Sequence, residues 1–275
     1  MNARRGAAPH RAARRPPAAP SRRARARCGA QRRRRRPDGD AEAARPEGRA
    51  RRRRSALAGT AAAAAVLLSW PSGGLAADDA RLLVSRAAQR FRENDVGGAV
   101  ALFDEAVARN PGLSPFLWQR GLALYYDDSF AAAAAQFRDD VRVNPSDTEE
   151  AVWEFISRAR RGEGDVGAAR RDFLELRGGD RRRVMGSVLS LFRSGDEAAR
   201  EALVALAERP ASDSDAFYSS LYLGLYAEAL GDGERARYWI GRASSSQYGQ
   251  RAQGDFMTAV ARVHMARRGW TGELS

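Results

Sequence analysis

Downstream of about residue 80 the apolar residues recur at three- and four-residue spacings, the period of an amphipathic helix, and no run of any length alternates as a strand does. Short polar turns interrupt the helical stretches: "END" (93–95), "DDS" (127–129), "GEGD" (162–165), "SGD" (194–196) and "GDG" (231–233). In most of them an Asp or Ser stands where its side chain can cap the following helix. Pro111 and Pro145, each preceded by Asn, close two stretches, because proline cannot continue a helix. The pattern predicts five helix pairs, at roughly 78–111, 112–145, 146–180, 181–212 and 213–248. A last helix at about 250–268 is expected to cap the fifth pair. The fourth pair, "RVMGSVLSLFRS" then "DEAAREALVALAE", keeps the helical period but loses the signature residues of the other pairs.

The stretches also resemble one another at a fixed spacing. Pro111 and Pro145 lie 34 residues apart, and counting back from each aligns Ala87 with Gly121, Phe91 with Tyr125, Ala99 with Ala133 and Phe103 with Phe137. The frame returns in "LYLGLYAEALGDGERARYWIGRA" with Gly224, Ala236, Ile240 and Ala243, and more weakly through Trp153, Asp165, Ala169 and Phe173. A small residue at Gly121 or Gly224 lets the first helix of a pair approach the second, and the alanine of the second helix (Ala133, Ala236) is expected to face it. Phe103, Phe137 and Phe173 each follow an alanine by four residues, on the same helix face one turn along. Burying each contributes about 1.5–3 kcal/mol.

These columns resemble the tetratricopeptide repeat family, a helix–turn–helix unit. "RGLALYYDDSFAAAAAQFRDDVRVNPSDTEEAVWEF" and "FYSSLYLGLYAEALGDGERARYWIGRA" are similar to the NlpI-like members and their plant and algal plastid relatives. The resemblance implies an all-α, right-handed α-solenoid whose units are stable only when stacked, and an exported adaptor that presents protein partners to other enzymes. Bacterial members of that group are lipoproteins; this chain has no Cys after the export segment, so the resemblance does not extend to the lipid anchor.

Charge divides the chain. The formal net charge is +13, but residues 1–54 hold 20 arginines and 4 acids, while the remainder holds 27 arginines against 30 acids, a net of −3. Binding nucleic acid draws on Lys and Arg to neutralise phosphates, so no nucleic-acid partner is expected of the body. Met1 to Arg54, rich in Arg, Ala and Pro, has too little apolar surface to offset the entropy of ordering and reads as a disordered, transit-type leader. "RRRR" (51–54) then meets the uncharged "SALAGTAAAAAVLLSW", "PSGG" and "LAADDA", the order of a twin-arginine export signal, with cleavage expected after Ala76 or Ala77. The segment 55–77 is poor as a permanent membrane span, and membrane contact is expected only if it is retained. The mature domain is then 78–275, in the thylakoid lumen or, alternatively, a bacterial periplasm.

The chemistry-bearing inventory is short. Cys28 lies in the leader, the sequence has no lysine, and His264 is the one histidine of the body. Disulfides, a thiolate metal site, a Walker-type phosphate loop and Schiff-base chemistry are all excluded for the mature chain. No cofactor or metal is expected, and the expected function is non-catalytic. The clamp by which some repeat proteins hold a peptide carboxylate needs Lys and Asn on successive first helices, where this chain has Val84 and Ala88.

Binding residues are expected on the first helix of each pair: Trp118, Leu122 and Tyr126; Glu154, Arg158 and Arg161; Tyr218 and Tyr222. Aromatic residues and Arg are common interface anchors. Tyr125 is expected in a packing column with Phe91, and Tyr126 toward the groove. The acid pairs Asp127/Asp128, Asp139/Asp140 and Glu149/Glu150 read as turn and helix-start residues, capping and solvated; a hydrolase would need two carboxylates facing one pocket. "DRRR" (180–183) reads as a solvated charge run, and His264 as packing or surface. The alternatives carried with the adaptor reading are an RNA-binding helical-repeat protein and a carboxylate-dependent hydrolase.

Overall fold

The computed structural model describes residues 74–161 and 165–270, all in one compact unit. The leader, most of the export segment and the first part of the "GEGD" turn lie outside the described residues. What is described is all-helical: α1 (Gly74–Arg92), α2 (Val96–Arg109), α3 (Trp118–Tyr126), α4 (Phe130–Val143), α5 (Thr148–Arg161), α6 (Val166–Arg171), α7 (Arg183–Ser194), α8 (Glu197–Glu208), α9 (Asp213–Ala229), α10 (Gly233–Ser245), α11 (Gln247–Arg251) and α12 (Phe256–Arg267). No described helix is long and apolar enough to cross a membrane. The expected cleavage after Ala76 or Ala77 falls within the first turn of α1.

Three of the predicted turns share one backbone geometry. Asn94, Asp128 and Gly231 all adopt left-handed φ, at 64°, 58° and 77°, which only Gly, Asn and Asp visit readily. Each donates its N–H three residues back, to Phe91, Tyr125 and Glu228 respectively, and the next residue donates five back, to Arg90, Leu124 and Ala227. The same two bonds close α1, α3 and α9, so the repeated polar triplets are repeated turns. Asp95, Asp165, Asp196 and Asp232 then cap the following helices through side-chain bonds to the N–H three residues on. Ser129, at the same place in the second turn, makes no such bond.

Packing follows the small-residue columns, shifted by one turn from the expected contact. A β-carbon on Gly121 would lie 2.6 Å from the Phe137 ring, and one on Gly224 would lie 2.6 Å from Ile240. The close approach is therefore to Phe137 and Ile240; Ala133 and Ala236, expected to face the glycines, are buried one turn earlier. Ala87, Ala99, Phe103 and Tyr125 are fully buried in the core. Pro111 opens a 3-10 segment, Pro111–Phe116, that joins the first two pairs, and Pro145 follows the end of α4. Phe173 lies beyond α6, which ends after six residues, and packs half-buried against Phe155 at 5.9 Å. The second helix of the third pair is thus far shorter than the expected span, and 172–182 carries no helix.

The last helix does more than cap the fifth pair. α12 packs on α10 and also on α1 and α3, while α9 reaches α5. α12 therefore covers the faces of α1 and α3 on which it packs, and α9 covers part of α5.

Candidate functional site

Two polar groups of side chains lie where α9 and α12 meet the other helices. The first is centred on Glu228, at 6% exposure. Its carboxylate accepts from Tyr125 Oη at 2.6 Å and from Arg268 Nε at 2.5 Å, with Arg160 Nη1 at 3.0 Å and His264 Nε2 at 3.6 Å. His264 Nδ1 meets Tyr126 Oη at 3.0 Å. Burial drives the His264 pKa down to about 4 against the pull of Glu228, so the ring is neutral at pH 7. Burial acts to raise the Glu228 carboxyl, but Arg268, the Tyr125 hydrogen bond and Arg160 outweigh it and hold the group below the usual carboxylate range. These residues come from α3, α5, α9 and α12 and tie the last helix to the others.

The second group lines a cavity of about 240 Å³ between the ends of α1, α3, α5, α9 and α12. Trp118, Phe137, Trp153 and Phe256 supply its aromatic walls, with Trp118 edge-on to Phe256 at 5.3 Å and Phe137 stacked on Trp153 at 6.2 Å. Four acids and two arginines also line it: Asp147, Glu149, Glu150, Asp255, Arg92 and Arg182. Most of these are already engaged. Asp147 Oδ1 accepts the N–H groups of Glu149 and Glu150 at the start of α5, at 2.9 and 3.3 Å. Glu149 accepts from Tyr222 Oη at 2.7 Å and Arg182 Nη2 at 2.8 Å. Asp255 takes Tyr218 Oη at 2.7 Å, Tyr248 Oη at 2.8 Å and the Met257 N–H. Arg92 donates to the Gln253 carbonyl at 3.0 Å and stacks on Phe256.

Glu150 is different. Its side chain is buried, Oε2 has no hydrogen-bond partner, and the Nε1 of Trp153 beside it has none either. Burial pushes the Glu150 carboxyl up to about 10, and the charges acting on it, Asp147, Asp140 and Glu149, all have its own sign. Asp140, buried with one oxygen bonded to Gln136 and the other unpartnered, is raised to about 8, chiefly by burial.

The expected site residues therefore divide. Trp118 and Tyr218 line the cavity, and Tyr222 reaches its Glu149. Leu122 and Tyr126 are core, at 1% and 0% exposure, because α12 covers the face they were expected to present. Glu154, also fully buried, pairs with Arg138, and Arg158 bridges to Asp172 at 2.6 Å, so this pair ties α5 to its neighbours away from the cavity. Arg161 is exposed.

Two sequence expectations need correction. Asp127 and Asp128 are exposed turn residues as read, but Asp140 and Glu150 are buried and Glu149 is half-buried against Arg182; the residue that caps α5 is Asp147. "DRRR" is a solvated run only at Arg181 and Arg183; Arg182 bonds Asp180 and Glu149 and lies over the Tyr218 ring. His264, read as packing or surface, is packing: it is fully buried, with the Glu228 carboxylate 3.6 Å from its Nε2. The pairing of Glu149 with a residue 33 positions on, and of His264 with one 36 positions back, has no local sequence signal. Among the described residues no group of acids and histidines is arranged to hold a metal ion. No protein-family model matches the chain, and no curated protein matches it.

Proposed function

We propose that this chain is a non-catalytic adaptor or assembly factor built from tetratricopeptide-like helix pairs stacked as a solenoid, and that it works after export to the thylakoid lumen or a bacterial periplasm. The observation that carries the reading is the repeat itself: three turns with one backbone geometry, each joining helices whose packing depends on a shared small-residue or aromatic column. Stacked repeats leave extended surfaces for other chains; here α12 covers part of one of them, so a partner would meet what remains open. The export segment and the −3 body support a partner that is protein rather than nucleic acid. The test is affinity capture on the immobilised chain from its native compartment, followed by binding of each captured protein after separate purification. Saturable binding of at least one purified protein is expected; none binding would remove the adaptor reading.

A carboxylate-dependent hydrolase is favoured by one observation, the cavity that gathers four acids. Its chemistry needs a second carboxylate available beside the acid. Asp147, Glu149 and Asp255 each accept two or more hydrogen bonds from the protein, which leaves Glu150 alone. The adaptor reading is therefore preferred.

A further inference from the structure

The Glu150 cavity contains an electrostatic imbalance that the fold does not resolve. Asp140, Asp147, Glu149 and Glu150 converge at the start of α5; Arg182 bonds Glu149 and Asp180, Arg120 acts on Asp140 through Gln136, and Arg92 lines the cavity without bonding any of the four. Glu150 is 8% exposed with no partner at Oε2, and Trp153, at 2%, has none at Nε1. A buried polar group without a partner costs about 1–3 kcal/mol, so the unpartnered Glu150 oxygen in a lined cavity marks a place for a donor the chain does not supply. The N-termini of α5 and α12 are closed by Asp147 and Asp255, which removes the donors an anion would use.

Size and walls narrow the class. At about 240 Å³ the cavity holds roughly eight waters' worth of volume, too much for one bare ion and below the range of about 300–1,000 Å³ that takes whole drug-sized molecules. That suits one functional group on a short aliphatic stem. Trp118 and Trp153 line it with indole rings, which attract cations, while the Phe256 ring already lies between Phe91 and the Arg92 guanidinium; Glu150 offers a counter-charge.

We propose that this cavity binds an aliphatic guanidinium or ammonium group, seated among the aromatic walls with its charge on Glu150. The group comes either from a free amine or from an Arg or Lys side chain of a bound segment; the second source rests on the adaptor reading, the first does not. Seating the cation displaces the proton that Glu150 carries in the empty site, where Asp140, Asp147 and Glu149 oppose its ionisation and Arg92, Arg182, Asp255 and Tyr218 complete the titratable lining.

The test is calorimetric titration of the full chain with butylguanidinium, its neutral isostere butylurea, and an acetylated, amidated five-residue peptide with a central Arg or, as control, citrulline. Saturable binding of butylguanidinium or of the Arg peptide is expected, at least about tenfold tighter than the matched neutral probe. Affinity should rise by up to about tenfold per pH unit from pH 7 to 9, because one proton leaves as the cation enters. Glu150→Gln should abolish that pH dependence and weaken binding about tenfold or more; the pH profile of the unaltered chain serves if the variant does not fold. Binding of butylguanidinium with a silent peptide assigns the site to a free amine and leaves the adaptor reading to its own test. The peptide binding more tightly assigns it to a partner segment. Neutral probes binding as well as charged ones, a flat pH profile, or no saturation of either cation by about 10 mM would each overturn the proposal.

Discussion

Alanine at Gly121, Gly224 and Gly186 separates close helix packing from simple helix propensity. A β-carbon at Gly121 falls 2.6, 2.8 and 2.9 Å from three atoms of the Phe137 ring, and that ring is 1% exposed and stacked on Trp153, so it has little room to yield. At Gly224 the added carbon meets Ile240 Cγ1 at 2.6 Å and the Ile240 backbone nitrogen at 2.9 Å, so α10 itself must shift. At Gly186 in α7 nothing lies within 4 Å. Replacing a helical glycine by alanine gains about 1 kcal/mol in propensity, and overpacking a filled core costs about 1–3 kcal/mol. Gly186→Ala should therefore stabilise by about 1 kcal/mol. Gly121→Ala should be neutral to about 2 kcal/mol destabilising, and Gly224→Ala should be the worst because backbone must move. Phe137→Leu in the Gly121→Ala background should recover part of the loss. Urea unfolding followed by far-ultraviolet circular dichroism measures all four. Stabilisation of Gly121→Ala and Gly224→Ala to the extent of Gly186→Ala would refute the close-packed columns.

Burial sets the remaining expectations. Asp140 has a folded pKa of about 8 against an ordinary 3.8, so the unfolded chain ionises first and this group's contribution is complete below pH 4 and lost as pH rises toward 8. Asp140→Asn should reduce the fall in stability across that window by about 1.4 kcal/mol per pH unit, measured by urea unfolding at pH 5 and 8; an unchanged slope would place the carboxyl in contact with water. Glu228→Ala leaves Arg160, Arg268 and Tyr125 without their shared acceptor and should cost about 3–5 kcal/mol. A loss below about 1 kcal/mol in the same assay would mean that α12 is not tied down through this carboxylate.

The helical class, the turns and the small-residue columns were all legible, because each rests on local chemistry. Asn94, Asp128 and Gly231 are residues that tolerate left-handed φ, and Asp95, Asp165, Asp196 and Asp232 are capping residues in capping positions. What the pattern could not show is what lies across from a face. Tyr126 has the spacing of a groove residue, and only the return of α12 makes it core. Glu149 and Glu150 look like ordinary acids at a helix start, the role that Asp147 takes instead. Glu149 is covered by Tyr222 of α9 and by Arg182, brought in by the irregular 172–182 stretch where α6 stops short.

The adaptor reading and the cation cavity meet in one measurement: photo-cross-linking in the native compartment with benzoylphenylalanine in place of Trp118, which lines the cavity and is half-buried. The account predicts a discrete cross-linked protein whose attached peptide contains an Arg or Lys, and its loss when Glu150→Gln is added. No cross-linked protein above that seen with the same photoreactive residue at exposed Arg161, or a cross-link indifferent to Glu150, would contradict it.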